Sequence, residues 1–207
     1  MKIRVAVMGA AGRMGSGIVR SASSQGDMGV VAAFESSSSK ALGRDIGEYL
    51  GLGRLRVEVR PSTDLTEALR ESEAQVLVDF TSPEASLGAA RAAAPLGVSL
   101  VIGTTGFSKA ESAELEGVIK GSGSSAVISP NMATGVNVFF KLVQEAARAL
   151  PGYDIEVIEA HHRMKKDSPS GTALRAGELI AQATGRALER EGVFGRGRGA
   201  QERREGE

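Results

Sequence analysis

The residues best suited to chemistry in this 207-residue chain gather in one run, His161-His162-Arg163-Met164-Lys165-Lys166-Asp167-Ser168-Pro169-Ser170-Gly171-Thr172. It holds both histidines of the sequence, and Arg163, Lys165 and Lys166 follow directly. A solvated basic loop is the plain explanation. The chemical explanation is an anion site, in which cations meet an acidic substrate while N–H groups after Ser170 bind a carboxylate at a helix start. Histidine and lysine in the same stretch are also candidate proton donors.

A second constellation lies near the beginning. Gly9-Ala10-Ala11-Gly12-Arg13-Met14-Gly15 follows an apolar run and opens a helical stretch, the context a dinucleotide fingerprint requires. The glycines permit a tight turn and close backbone approach, and the helix start presents N–H groups and partial positive charge to a pyrophosphate. The spacing is Gly-x-x-Gly-x-x-Gly rather than the commoner Gly-x-Gly-x-x-Gly. Glu35 lies 35 − 15 = 20 residues beyond the last glycine, where an acid hydrogen-bonds the adenosine ribose. Such an acid favours NAD, yet Ser36 to Ser39 with Lys40 offer a cradle for a 2′-phosphate, so NAD and NADP both stay open. Asp79-Phe80-Thr81 and Gly103-Thr104-Thr105-Gly106 each close a strand-like run, and serve either as ordinary turns or as lining for the nicotinamide half of a cofactor.

These groups need a scaffold that puts loops at the ends of strands. Ile3 to Met8, Val30 to Glu35, Leu55 to Val59, Gln75 to Phe80, Val98 to Ile102 and Ser125 to Ile128 are short apolar runs separated mostly by helical stretches. That alternation predicts a doubly wound parallel sheet. Ser82-Pro83 gives an N-cap with proline at the first helical position, and Ser108 to Glu111 fits a capping box. Near residue 130 the pattern changes. Val136, Phe140, Val143, Ala147 and Leu150 recur at helical spacing, Tyr153 to Ala160 is an expected strand, and Ser170 is expected to cap a helix ending near Gly185. The expected organisation is a dinucleotide-binding domain over 1–130 and a partial α+β substrate domain over 131–207, with 185–207 as a flexible tail rich in Arg, Glu and Gly.

Composition removes several function classes. Twenty-five Lys+Arg balance 25 Asp+Glu, which argues against nucleic-acid or membrane-surface partners. With no cysteine and two histidines, thiolate chemistry is removed and a metal site is not expected. No apolar run approaches the ~18 residues of a membrane span, and the start lacks a signal-peptide cleavage pattern, so a cytoplasmic protein is expected.

Taken together, Val7 to Gly15, Asp79-Phe80-Thr81, Gly103 to Phe107, Asn131 with Gly135-Val136-Asn137, and Glu159 to Ala173 resemble the dihydrodipicolinate reductase (4-hydroxy-tetrahydrodipicolinate reductase) family of lysine and diaminopimelate biosynthesis. The resemblance implies a Rossmann N-terminal domain and an NAD(P)H-dependent reduction of a cyclic dicarboxylate, following loss of its hydroxyl. It implies His161 as acid/base residue, Lys165 as proton donor, and His162, Gly171 and Thr172 as substrate-binding residues. It assigns the cofactor to Gly9, Ala10, Ala11, Gly12, Arg13, Met14, Glu35, Gly103, Thr104, Thr105, Ser129, Pro130, Asn131 and Met132, with Asn131 near an interdomain hinge. A homotetramer is also implied. Ser36 stands where many family members have a basic residue, and the family pattern continues with further strands after Glu207, so the substrate domain is expected to be C-terminally truncated. The alternative reading is a non-catalytic dinucleotide-binding module.

Overall fold

In a computed structural model of the chain, residues 2–165, 168–196, 198–200 and 202 are described. Lys166, Asp167 and most of the final seven residues lie outside them. The chain divides into two compact units, residues 1–129 and 130–207.

The first unit alternates strand and helix. Its strands are β1 (Ile3–Met8), β2 (Met28–Glu35), β3 (Val59–Pro61), β4 (Val76–Asp79), β5 (Ser99–Ile102) and β6 (Ala126–Ile128). Between them run α1 (Arg13–Ser24), α2 (Ile46–Tyr49), α3 (Leu65–Glu71), α4 (Pro83–Ala93) and α5 (Lys109–Ser122). All paired neighbours are parallel, in the order β3-β2-β1-β4-β5-β6. This is the doubly wound dinucleotide-binding order, whose reversal between β1 and β4 opens a crevice at the strands' carboxyl ends.

Two buried clusters cover the two faces of the sheet. Successive β1 residues point to opposite sides, so Val5 and Val7 pack with Val19, Ala33, Ile46 and Val59. Ala6 and Met8 pack on the other face with Phe34, Leu77, Leu100 and Ile102. The helix starts follow their local chemistry. Ser82 accepts from the Ala85 N–H with Pro83 behind it, and Ser108 and Glu111 form the complete capping box.

Leu55 to Val59 is not one strand. The Asp45 carboxylate accepts the N–H groups of Leu55 and Val57, each at 3.0 Å, and Arg56 takes a φ of +60°, so the run is held as a loop and pairing with β2 begins only at Val59.

The second unit contains α6 (Thr134–Ala149), α7 (Gly171–Ala183) and α8 (Leu188–Glu191). Phe140 of α6 is buried with Ala176 and Leu179 of α7, and Val136 packs against them. Leu150 falls beyond the last turn of α6 and is exposed rather than part of its apolar face. Tyr153 to Ala160 forms no strand, because it has no sheet partner among the described residues; Ile158 is 93% exposed. The expected tail is in part structured. The Arg186 N–H donates to the Ala181 carbonyl at 2.7 Å, α8 follows, and Arg196 pairs with Glu156 at 2.9 Å. Leu188 anchors this stretch by packing against Gly177 and Gly192, where added Cβ atoms would lie 3.2 Å and 2.9 Å from its side chain.

Two glycines one half-turn apart in α1 give opposite expectations. A Cβ on Gly15 would lie 2.0 Å from the Gly9 carbonyl oxygen, whereas one on exposed Gly17 would meet nothing within 4 Å. Gly15→Ala is expected to destabilise the chain by about 1–3 kcal/mol, the scale of overpacking against backbone. Gly17→Ala is expected to stabilise it by about 0.5–1 kcal/mol by reducing unfolded-chain entropy. Urea denaturation of both variants checks the pair, and two shifts of equal sign would contradict the close approach.

Candidate functional site

In the first unit the loops after β1, β2, β4 and β5 are tied directly to one another. Gly9 adopts a φ of +59°, and a Cβ there would lie 3.0 Å from Thr81 Cγ2. Thr81 is held by Asp79, whose Oδ1 accepts both its N–H (2.9 Å) and its hydroxyl (2.6 Å). Asp79 is fully buried, and its Oδ2 has no hydrogen-bond partner among the described residues. Its carbonyl accepts the Gly103 N–H at 2.8 Å. Gly103 in turn makes room for the Phe80 ring, which a Cβ would meet at 1.9 Å. The Ser86 hydroxyl donates to buried Thr104 at 2.8 Å, while Thr105 is exposed.

The glycine-loop N–H groups fall into two sets. Ala10 donates to the Phe34 carbonyl, Gly12 to the Gly9 carbonyl, and Ala11 to Glu35 Oε1 at 2.8 Å. These three hold the loop's shape. Arg13, Met14 and Gly15 occupy the first turn of α1, where an N–H has no intrahelical acceptor, and the N-cap, Gly12, has no side chain to cap them. They are the donors that suit a pyrophosphate, and the loop as a whole fits a dinucleotide. Glu35 therefore engages the loop through Oε1, and its Oε2 has no hydrogen-bond partner among the described residues. Ser36 and Ser38 hydroxyls lie 3.2 Å apart beside it.

In the second unit Asn131 shapes the start of α6. Its Oδ1 accepts the Ala133 N–H at 2.9 Å, and its carbonyl accepts from Asn137 at 3.0 Å. Met132 is half-buried and Pro130 exposed beside it, while the Ser129 N–H closes β6 by donating to Ile102.

The basic run is organised around a residue not assigned a role from the sequence. Glu159 Oε1 accepts the Ser170 N–H at 2.8 Å, and Oε2 lies 2.9 Å from His161 Nε2. Ser170, 4% exposed, caps α7 by accepting the Ala173 N–H, which leaves the Gly171 and Thr172 N–H groups at the helix start. His162 Nδ1 accepts the Met164 N–H at 3.2 Å, and the half-buried Lys165 donates its N–H to the His162 carbonyl. Glu159, His161, Ser170, Gly171 and Thr172 thus meet at one helix terminus. Lys166 and Asp167 lie outside the described residues. Among the described residues no group of three or more His, Cys, Asp or Glu could hold a metal ion, and no helix is long and apolar enough to cross a membrane.

Hydrogen bonds from the Ser170 hydroxyl and N–H, followed by the neighbouring His161, bring the Glu159 carboxyl down to about 2. A carboxyl depressed on folding stabilises the native state above its unfolded value, roughly 4.3, and that stability is lost as pH falls through about 2. The difference in urea midpoint between the parent and Glu159→Gln should be present at neutral pH and close between roughly pH 4.3 and 2. A constant difference across that range would contradict the bond to Ser170.

Two sequence profiles match the chain: "Dihydrodipicolinate reductase, N-terminus" over residues 3–132 and "Dihydrodipicolinate reductase, C-terminus" over 135–206. The chain is 52% identical over 194 residues to the 4-hydroxy-tetrahydrodipicolinate reductase of Methanothermobacter thermautotrophicus, covering 94% of this chain and 71% of the relative. It is 49% identical to that of Methanocaldococcus jannaschii, covering 94% and 70%. Among solved structures, the dipicolinate-bound dihydrodipicolinate reductase of Paenisporosarcina sp. TG-14 aligns with a TM-score of 0.73 at 28% identity, over 89% of this chain and 67% of that one. With its six parallel strands in dinucleotide-binding order and both halves of its length matched, the chain belongs to the dihydrodipicolinate reductase family.

Proposed function

We propose that this chain catalyses the NAD(P)H-dependent reduction of 4-hydroxy-tetrahydrodipicolinate to tetrahydrodipicolinate, a step of lysine and diaminopimelate biosynthesis. The observation that carries the reading is the juxtaposition, through Glu159, of His161 with the start of a 13-residue helix whose Gly171 and Thr172 N–H groups suit a carboxylate. A cyclic dicarboxylate needs both an anion site and a nearby acid/base group. Family membership favours this reading over a non-catalytic dinucleotide-binding module.

The cofactor residues are Gly9 to Met14, Glu35, Gly103 to Thr105 and Ser129 to Met132. Arg13 and Met14 hold the pyrophosphate through their N–H groups, together with Gly15, and Glu35 Oε2 accepts from the ribose. NAD(P)H, when bound, supplies a hydride to the substrate ring. His162, Gly171 and Thr172 orient the substrate carboxylates, His161 exchanges the proton that accompanies loss of the hydroxyl, and Lys165 protonates the reduced ring. A homotetramer belongs to the same reading by family resemblance, and a cytoplasmic location belongs to it from the sequence pattern.

Glu35→Ala is expected to weaken NADH binding by about 1–3 kcal/mol, the scale for hydrogen bonds to a charged acceptor, and to weaken NADPH less. Calorimetric titration of both cofactors measures this, and unchanged affinities would confine Glu35 to its bond with Ala11.

His161→Gln and Lys165→Ala are each expected to lower kcat by roughly 10²–10⁴, with cofactor affinity close to the parent's. Steady-state kinetics with 4-hydroxy-tetrahydrodipicolinate tests the roles. Normal turnover by Lys165→Ala would remove it as proton donor, and a parallel loss of NADH binding would point to a damaged fold.

A further inference from the structure

The geometry points to Glu159 as a positioning residue that holds His161 in its Nε2–H form, so that Nδ1 is the nitrogen that exchanges a proton. This deepens the function proposed above and rests on His161 being the acid/base residue.

The two oxygens of the Glu159 carboxylate have different partners. Oε1 is occupied by the Ser170 N–H at 2.8 Å, and Oε2 faces His161 Nε2 at 2.9 Å. An ionised carboxylate only accepts, so the imidazole nitrogen beside it must carry the hydrogen. In the neutral ring the other nitrogen, Nδ1, then holds a bare lone pair, and it has no protein partner among the described residues. This follows the general rule that the hydrogen bond at one ring nitrogen decides the chemistry available at the other.

Exposed ion pairs ordinarily contribute little, because two mobile side chains must be ordered to make them. Here one partner is already ordered. The Glu159 side chain is fixed by the N–H of Ser170, a buried residue that also caps α7. The same carboxylate therefore sets the histidine's tautomer and ties its position to the helix start carrying Gly171 and Thr172. When Nδ1 takes up a proton, the positive charge spreads across a ring whose far nitrogen touches the anion.

Glutamine at 159 supplies a decisive contrast. Its amide oxygen can accept the Ser170 N–H, and its NH₂ then faces Nε2 and donates, which requires the hydrogen to move to Nδ1. The test is imidazole ¹⁵N–¹H correlation spectroscopy on the full chain at a pH where the rings are neutral. The chain has two histidines, so a His162→Gln variant assigns the signals. The expected result is an Nε2–H form of His161 in the parent and a shift toward Nδ1–H in Glu159→Gln, with kcat falling roughly 10²-fold and cofactor affinity unchanged. A parent His161 found mainly as Nδ1–H would overturn the proposal without reference to any variant, as would the parent's tautomer and turnover persisting in Glu159→Gln. An expected pair of tautomers in a chain that does not turn over the substrate would support the positioning role and defeat the proposed reaction instead.

Discussion

A carbon atom added at Gly15 would sit 2.0 Å from the Gly9 carbonyl oxygen, and that exclusion sets how closely α1 approaches the end of β1. Because the helix is seated so near, its first-turn N–H groups open directly over the carboxyl ends of the sheet. The rest of the first unit accommodates this contact. Gly9 turns through a positive φ beneath it, Thr81 is drawn against Gly9 by a buried carboxylate, and Gly103 yields its side-chain volume to Phe80. A dinucleotide site built this way owes its shape to missing atoms as much as to present ones.

The second unit uses the opposite device. There a charged side chain organises the site, and Glu159 joins through one carboxylate His161 and Ser170, which the sequence places 170 − 161 = 9 residues apart. Polar bonds of this kind are directional, so they orient groups as well as hold them. The first unit positions backbone by close packing, while the second positions side chains by hydrogen bonding.

What the sequence disclosed follows the reach of each interaction. The parallel sheet, the caps at Ser82, Ser108 and Ser170 and the seven-residue glycine loop are local signals, each written within a few positions. Glu35 was marked by its spacing from Gly15, yet its bond to Ala11 could not be seen, since both readings place the same acid at the same strand end. The loop over Leu55 to Val59 was hidden for a similar reason. Its apolar residues suit a strand, and only Asp45, ten residues before Leu55, diverts their N–H groups. Tyr153 to Ala160 has strand-like composition, but a strand is a property of two chains of backbone, and composition speaks for one. Leu188 lay in a segment dominated by Arg, Glu and Gly, where one aliphatic side chain between two glycines suffices to seat a helical turn.

The strand order also bears on how the first unit assembles. β1 is central, and Val5 pairs with Val30 on one side and Val76 on the other, at separations of 30 − 5 = 25 and 76 − 5 = 71 residues. Closing the longer loop costs about 0.9 kcal/mol more in chain entropy. On a growing polypeptide, the β1–α1–β2 crossover is therefore available first, and it already contains Gly9, Gly15 and Glu35. The other flank of β1 stays open until β4 emerges, bringing Asp79 and Thr81. The half of the crevice formed by the glycine loop is thus encoded in one early, sequence-local piece, and the half that receives Thr81 is completed only by a later arrival.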